Sequence, residues 1–290
     1  MSATSTVEKY STHRKVNEVL RYPGAFSSTT TPTAEQVENL IDQKMDYIDD
    51  RILDSFHLSK YREFRDVGNP YRLNTGRKVF LKRRNLITPL AASEGDSLLV
   101  YEGTTQVEYV GSKTEARAND FWLEDLSGVL HLNTFSFPQY RQIDFTYRYN
   151  SGGRSTLSGA FVQGSLVLNV VSNRKNFPMQ GWLRVDDEEM RYNSLSGSTA
   201  FSITERGAFN TTAADHSGGV VAFWCPKDIE EACTKLVAID LLNAEDWSSG
   251  ATTTGNMPSG QAPIESKIKR YQEDIERILE KYIPIVSAGP

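Results

Sequence analysis

The sequence predicts an α+β fold in which amphipathic helices enclose a long antiparallel β insertion. Apolar residues recur at helical spacing in three windows, near 33–56, 226–244 and 262–283. Between the first two, from Val79 to Val221, they alternate with a period of two in short runs cut by Gly, Ser, Asn and Asp. The 290 residues are 39% hydrophobic and 24% charged, an ordinary globular composition. A chain of this length buries roughly 75% of its unfolded surface and needs no disulfide or metal for stability.

Taken in order, residues 1–31 are rich in Ser and Thr, with scattered apolar side chains at Val7, Val16, Val19 and Leu20. They read as a loosely packed N-terminal arm. Thr33 with Gln36 forms a capping-box pattern. Val37, Ile41, Met45, Ile48, Ile52 and Phe56 then make one apolar stripe, with Asp42, Asp46, Asp49 and Asp50 on the wet side, so a helix spans 33–56. From Lys60 to Arg84 the chain carries nine basic and two acidic residues, +7 within a molecule of net −5.

Alternating runs follow at Val79–Leu81, Leu98–Tyr101, Val107–Val110, Phe121–Leu123, Val129–Leu132 and Ile143–Tyr149, with Ser127-Gly128 as a hairpin turn. A glycine-rich seam at 150–159 separates them from Leu166–Val171, Trp182–Val185, Met190–Tyr192, Phe201–Ile203 and Gly219–Phe223. Short strands at this spacing indicate sandwich or barrel modules. Pro226 at a helix start, with Asp228, Glu230 and Glu231 in the first turn, opens a second helix. Ile229, Cys233, Leu236, Val237 and Leu241 are its buried side. A Gly/Ser/Thr/Pro linker at 248–263 leads to a last stripe of Ile264, Ile268, Tyr271, Ile275, Ile278, Leu279 and Tyr282. The resulting domain plan is an arm (1–31), a helical core (32–78 plus 224–247), a first β module (79–152), an inserted second β module (153–223), the linker, and a terminal helix with its tail (264–290).

Little in this pattern supports catalysis. His13, His57, His131 and His216 lie in four unrelated segments, and Cys225 and Cys233 sit eight apart in one element, which suits neither a disulfide scaffold nor a zinc module. No G-x-S-x-G elbow, P-loop or dinucleotide fingerprint occurs. Asp186-Asp187-Glu188-Glu189 offers paired carboxylates but reads as a solvated turn between strands. Asp215-His216 is not a dyad by default, since strand neighbours point to opposite faces. The longest apolar run, Val220–Cys225, is far below the roughly 18 residues of a membrane span. The first ten residues hold no apolar core of a secretory signal. Tyr61, Phe64, Tyr71 and Phe80 interleave with the basic run, which suits sequence-independent phosphate contact with base stacking, or equally an acidic protein surface.

The order of segments resembles the head–tail connector (adaptor) proteins of tailed bacteriophages and related tailed viruses. The likeness runs through the helix PTAEQVENLIDQKMDYIDDRIL and the Arg83-Arg84-Asn85-Leu86-Ile87-Thr88 and Tyr101-Glu102-Gly103 segments. It continues through Asp125-Leu126-Ser127-Gly128-Val129-Leu130 and Ile143-Asp144-Phe145-Thr146-Tyr147 to the Pro226-Lys227-Asp228-Ile229-Glu230-Glu231-Ala232 helix start. A second likeness, to a small β module of phage structural proteins, covers Gly181–Val185, Glu189–Tyr192, Arg206-Gly207, Thr211–Ala213, His216 and Gly218. There His216 reads as a hydrogen-bonding loop residue. The β block from about Gly153 to Phe223 departs from the family pattern, being inserted where the chain usually runs straight into the Pro-initiated helix.

The resemblance implies a non-enzymatic virion protein with no cofactor or metal. It would form a ring of twelve copies between the portal of the capsid and the next neck or tail-completion component, assembled in the host cytoplasm. Its partners would be sister copies, the portal protein, that next component, and genomic double-stranded DNA through non-specific contact. On this reading Ile41, Met45, Ile48, Ile52, Ile229 and Leu236 face sister subunits. Ile264, Ile268, Tyr271, Ile275, Ile278, Leu279 and Tyr282 dock on the portal, and Lys82, Arg83 and Arg84 face DNA or the portal. The competing readings are another virion β protein of the tail-completion or baseplate kind, and a glycan-binding or glycan-cleaving β protein.

Overall fold

A computed structural model describes residues 8–22, 24–67, 78–102, 104–107, 110–111, 120–132, 141–171, 176–197, 199–244 and 264–283. The expected linker at 248–263, the tail beyond residue 283, and Tyr71, Arg72, Arg77 and Gly103 lie outside them. The fold is α+β, and the chain divides into two compact units, Met1–His57 with Gly152–Pro290, and Leu58–Ser151.

The first unit contains four helices, α1 (His13–Leu20), α2 (Ala34–Ile52), α3 (Lys227–Asn243) and α4 (Ile264–Leu279). Thr33 and Gln36 close the expected capping box on α2, Gln36 N donating to the hydroxyl at 3.2 Å and Thr33 N to the amide oxygen at 2.8 Å. Leu53, in the left-handed region at φ 56°, ends α2 three residues before the expected boundary. The stripe Val37, Ile41, Met45, Ile48 and Ile52 packs into one core with Ile229, Cys233, Val237 and Leu241 of α3 and Ile275, Ile278 and Leu279 of α4. Each such side chain contributes about 1.5–3 kcal/mol on full burial.

The arm expectation is corrected by the segment 8–22. Thr12 caps α1, and Tyr10 and Val16 join the same core with no exposed surface. The Tyr10 hydroxyl donates to Asp49 Oδ1 at 2.5 Å and accepts from Phe56 N at 2.7 Å, while His57 Nε2 lies 3.0 Å from Asp49 Oδ2. Tyr10 thereby clamps the N-terminal segment to the end of α2.

The same unit holds a six-stranded sheet in the order β10 (Val167–Asn169), β13 (Ala200–Ala208), β12 (Glu188–Ser196), β11 (Gly181–Val185), β14 (Val221–Trp224), β9 (Gly153–Thr156). Ser158 N donates to Asn169 O at 3.0 Å and Val171 N to Thr156 O at 2.8 Å. A Leu157–Val170 bridge between them joins the two outer strands and curls the sheet into a partly closed barrel. Leu168, Leu183, Val185, Met190, Tyr192, Phe201 and Ala222 fill it. Trp182 and Phe223 pack into the helical core, so the second β module and the helices form one unit rather than two domains. Part of the seam predicted at 150–159 is a strand, β9. Its approach is tight: a Cβ on Gly152 would lie 1.9 Å from Phe56 O and 2.8 Å from Trp224 O.

The second unit has two four-stranded sheets around one core of Val79, Leu81, Leu130, Leu132, Ile143, Phe145 and Tyr147. One runs in the order β1 (Ser59–Val67), β8 (Arg141–Tyr149), β3 (Ser97–Glu102), β4 (Thr105–Val107). The other runs β2 (Lys78–Phe80), β7 (Val129–Leu132), β6 (Asp120–Glu124), β5 (Val110–Gly111). All pairings are antiparallel except β5 with β6. The first third of the basic run is β1, paired with β8 over all nine residues, which moves 59–67 out of the helical core where the domain plan put it. Gly128 ends the β6–β7 turn at φ 67°, and a Cβ there would meet Arg83 O at 2.3 Å.

Candidate assembly surfaces

The predicted site residues fall into different environments. Ile41, Met45, Ile48, Ile52 and Ile229 are at most 5% exposed, and Leu236 is half-buried against the same core. This corrects their assignment to a ring interface: the stripe is consumed inside the chain, where α3 and α4 cover it. The proposed portal-docking set is divided. Ile275, Ile278 and Leu279 are buried and Ile268, Tyr271 and Tyr282 pack half-buried against the core, which corrects their reading as a free docking face; Ile264 is exposed. Polar contacts hold α4 in place. Lys235 Nζ meets Asp274 Oδ2 at 2.6 Å, Arg51 Nη2 meets Glu276 Oε2 at 3.0 Å, and the Tyr282 hydroxyl donates to Asp228 Oδ1 at 2.6 Å.

The basic run separates as well. Arg83 is 2% exposed, its guanidinium over the Tyr61 and Tyr149 rings at 5.0 and 5.3 Å and its backbone N–H donating to the Tyr147 hydroxyl. That corrects its placement on a DNA- or portal-facing surface. Arg62 makes a two-pronged pair with Asp144, at 2.8 and 2.5 Å, and Arg65 pairs with Glu63 at 2.6 Å. Lys60 donates to the Glu94 carbonyl. Folding therefore spends much of the local +7 on internal partners. Lys78, Lys82 and Arg84 remain exposed, with Phe80 exposed between the two lysines in the sequence.

Two charged clusters went unread in the sequence. Glu188 and Glu189, taken there as a solvated turn, are 1% and 0% exposed; only Asp186 and Asp187 form the turn. Glu188 accepts from Arg206 Nε and Nη2 at 2.6 and 2.8 Å, from Gly207 N at 2.9 Å and Ala214 N at 3.0 Å, and faces His216 Nε2 at 2.9 Å. Burial alone would raise this carboxyl. The Arg206 guanidinium, the Ala214 N–H, His216 and the Gly207 N–H outweigh it and hold it at about 2. His216 also meets Asp186 Oδ2 at 2.8 Å, in the hydrogen-bonding role expected of it. The hub staples the 206–216 loop to β12.

On the other side of that strand, Glu189 meets Lys15 at 2.6 Å and Lys227 at 3.1 Å. Glu230 meets Lys227 at 2.7 Å and also contacts Lys15. Lys227 lies over the Trp182 and Phe209 rings, 3.5 and 4.2 Å from their centroids. Burial lowers the Lys227 ammonium, partly offset by Glu230 and Glu189. This network ties α1, β12 and the start of α3 together. The signal that could have found it is the strand period, which sends Glu188 and Glu189 to opposite faces.

Among the described residues, no three His, Cys, Asp or Glu side chains converge as a metal site requires, and no helix is long and apolar enough to cross a membrane. Cys225 and Cys233 are free thiols in the core. What the described surface does offer is apolar. Phe64, Phe80, Leu126, Val162, Leu166, Val167, Val171 and Met179 are each more than half exposed, and all eight belong to the two β modules. No protein-family model matches the chain, and neither does any curated protein.

Proposed function

We propose that this chain is a structural subunit of a tailed-virus head–tail connector. It forms a ring, of twelve copies on the family pattern, between the portal and the next neck or tail-completion component. Genomic DNA passes through the channel as cargo. Two things support the reading: the order of the motif-bearing segments, and the distribution of exposed apolar surface. The second carries the assembly role, because Val162, Leu166, Val167 and Val171 crowd exposed apolar side chains into ten residues of one module, and such clustering favours a partner. It also moves the contact surface. The main apolar stripes of the helices are covered within the chain, and the β modules meet neighbours.

Sizing by light scattering tests the proposal, with the purified chain alone and mixed with the portal protein of the genome that encodes it. The expected result is a complex in which both proteins co-elute at the mass of stacked rings. A persistent monomer that leaves the portal peak unchanged overturns it.

A further inference from the structure

Residues 155–173 contain no Asp, Glu, Lys or Arg, a gap of 19 residues in a chain that is 24% charged. Within it Val162, Leu166, Val167 and Val171 are 51–61% exposed. Their exposure is built in. Arg206 Nη1 donates to the carbonyls of Val162, Gln163 and Ser165 at 2.9, 3.0 and 3.3 Å, and Gln163 N donates to Asp215 Oδ1 at 2.6 Å. The loop is therefore held with its apolar side chains outward. Nor is β10 a template for another strand, since its backbone bonds to β13 on one side and to residues 156–158 on the other. No charge within 155–173 opposes association, so these four exposed side chains suit a contact surface. Arg206 at the loop is paired with Glu188, and the exposed charge beside the strip is the acid Asp215.

The second unit carries the complement. Phe80 is 66% exposed on β2, an outer strand whose Phe80 carbonyl is pinned by Arg65 Nη1 at 2.6 Å. Exposed Lys78 and Lys82 flank it, and Leu126 is exposed in the turn whose Gly128 carbonyl accepts from Leu81 N. One patch is aliphatic with an exposed acid at its loop, the other aromatic and flanked by bases. A two-fold dimer uses one self-complementary patch, whereas a ring needs two different ones on each chain.

We propose that the aliphatic strip Val162, Leu166, Val167 and Val171 of one copy receives Phe80 of a second copy, with Asp215 meeting Lys78 and Lys82, and that this contact repeats head to tail. The inference rests on the reading of the chain as a ring subunit and names its self-interface. A contact of four aliphatic side chains and one phenyl ring is small beside a stable protein interface of about 20–30 residues a side. Ring closure adds to such a contact by raising the effective concentration of the two patches.

The test is disulfide trapping in the full chain. Gly164→Cys places a thiol where an added Cβ meets open space, Lys82→Cys places one beside Phe80, and the native Cys225 and Cys233 are buried. Under mild oxidation at ~1 mM, an equal mixture of the two single variants is expected to give a cross-linked dimer that neither gives alone, and the double variant a ladder. Adding Phe80→Ser is expected to cut the yield about tenfold or more. Three results overturn the inference: no dimer in the mixture, equal dimerisation of Gly164→Cys alone, or an internal bond in the double variant that leaves it monomeric. Portal binding separates this from the functional proposal. If the Phe80→Ser chain still assembles a ring on the portal, the interface is wrong and the adaptor reading stands; if the unmodified chain never binds portal, the adaptor reading falls.

Discussion

At the scale of single residues, Glu188 shows how one carboxylate can hold a loop. Its carboxyl sits at about 2 in the folded chain against an ordinary 4.5. A depressed carboxylate stabilises above its unfolded value and loses that contribution as pH falls toward its folded value. The contribution is about 3 kcal/mol at neutral pH by linkage. Glu188→Gln is therefore expected to lower the unfolding free energy at pH 7. The gap between variant and unmodified chain should close as pH drops from about 4.5 to about 2, in urea titrations at stepped pH. A gap independent of pH sinks the assignment.

Arg83 makes the opposite point about the basic run. Its burial against the Tyr61 and Tyr149 rings predicts a loss of about 1–3 kcal/mol for Arg83→Ala, whereas Lys82→Ala, which gives up only an exposed ammonium over the Tyr61 ring at 5.2 Å, costs at most about 1 kcal/mol. Thermal melts of the two variants decide it. Three adjacent cations looked alike in the sequence because charge counting ignores direction. Once β2 has a register, Val79, Leu81 and Arg83 turn to one side and Lys78, Phe80, Lys82 and Arg84 to the other.

At the scale of elements, periodicity announced α2, α3 and α4 and most of the strands, because a stripe or an alternation is local. It did not say what covers a stripe. The apolar faces of α2 and α4 look equally suited to a sister subunit and to α3, and only the tertiary arrangement shows that α3 takes them. The arm was missed for a related reason. Between Glu8 and Leu20 the core takes few large side chains, Tyr10, Val16 and Leu20 among them, too sparse a pattern to register as a stripe. It follows that α4 is part of the fold before it is part of any interface. Leu279→Ala is expected to cost about 2–5 kcal/mol, read as a lowered urea midpoint of the chain alone. An unchanged midpoint would mean that α4 docks only on a partner. Deleting the helix would likewise unfold its surroundings, so loss of portal binding in a deletion variant would say nothing about docking.

At the scale of the whole molecule, the sequence is interrupted rather than divided. Leu58–Ser151 is one continuous stretch set between the two halves of the other unit. Its ends meet: Ser59 and Tyr149 are partners in the β1–β8 ladder, which puts their Cα atoms about 4.5–5.5 Å apart. It has its own core of ten buried hydrophobic side chains. Those are the features of an insertion that leaves its host closed when removed. Residues 58–151 expressed alone are expected to fold, with dispersed amide proton shifts and a cooperative melt. The chain with 58–151 replaced by a short Gly/Ser connection should keep the first unit's unfolding transition. In the intact chain the same independence predicts two transitions in calorimetry rather than one. A single transition shared by both units, together with an unfolded 58–151 fragment, would show that each unit needs the other. The network of Lys15, Glu189, Lys227 and Glu230 and the Tyr10 clamp both close within the first unit, and Arg83, Tyr147 and Glu63 close within the second.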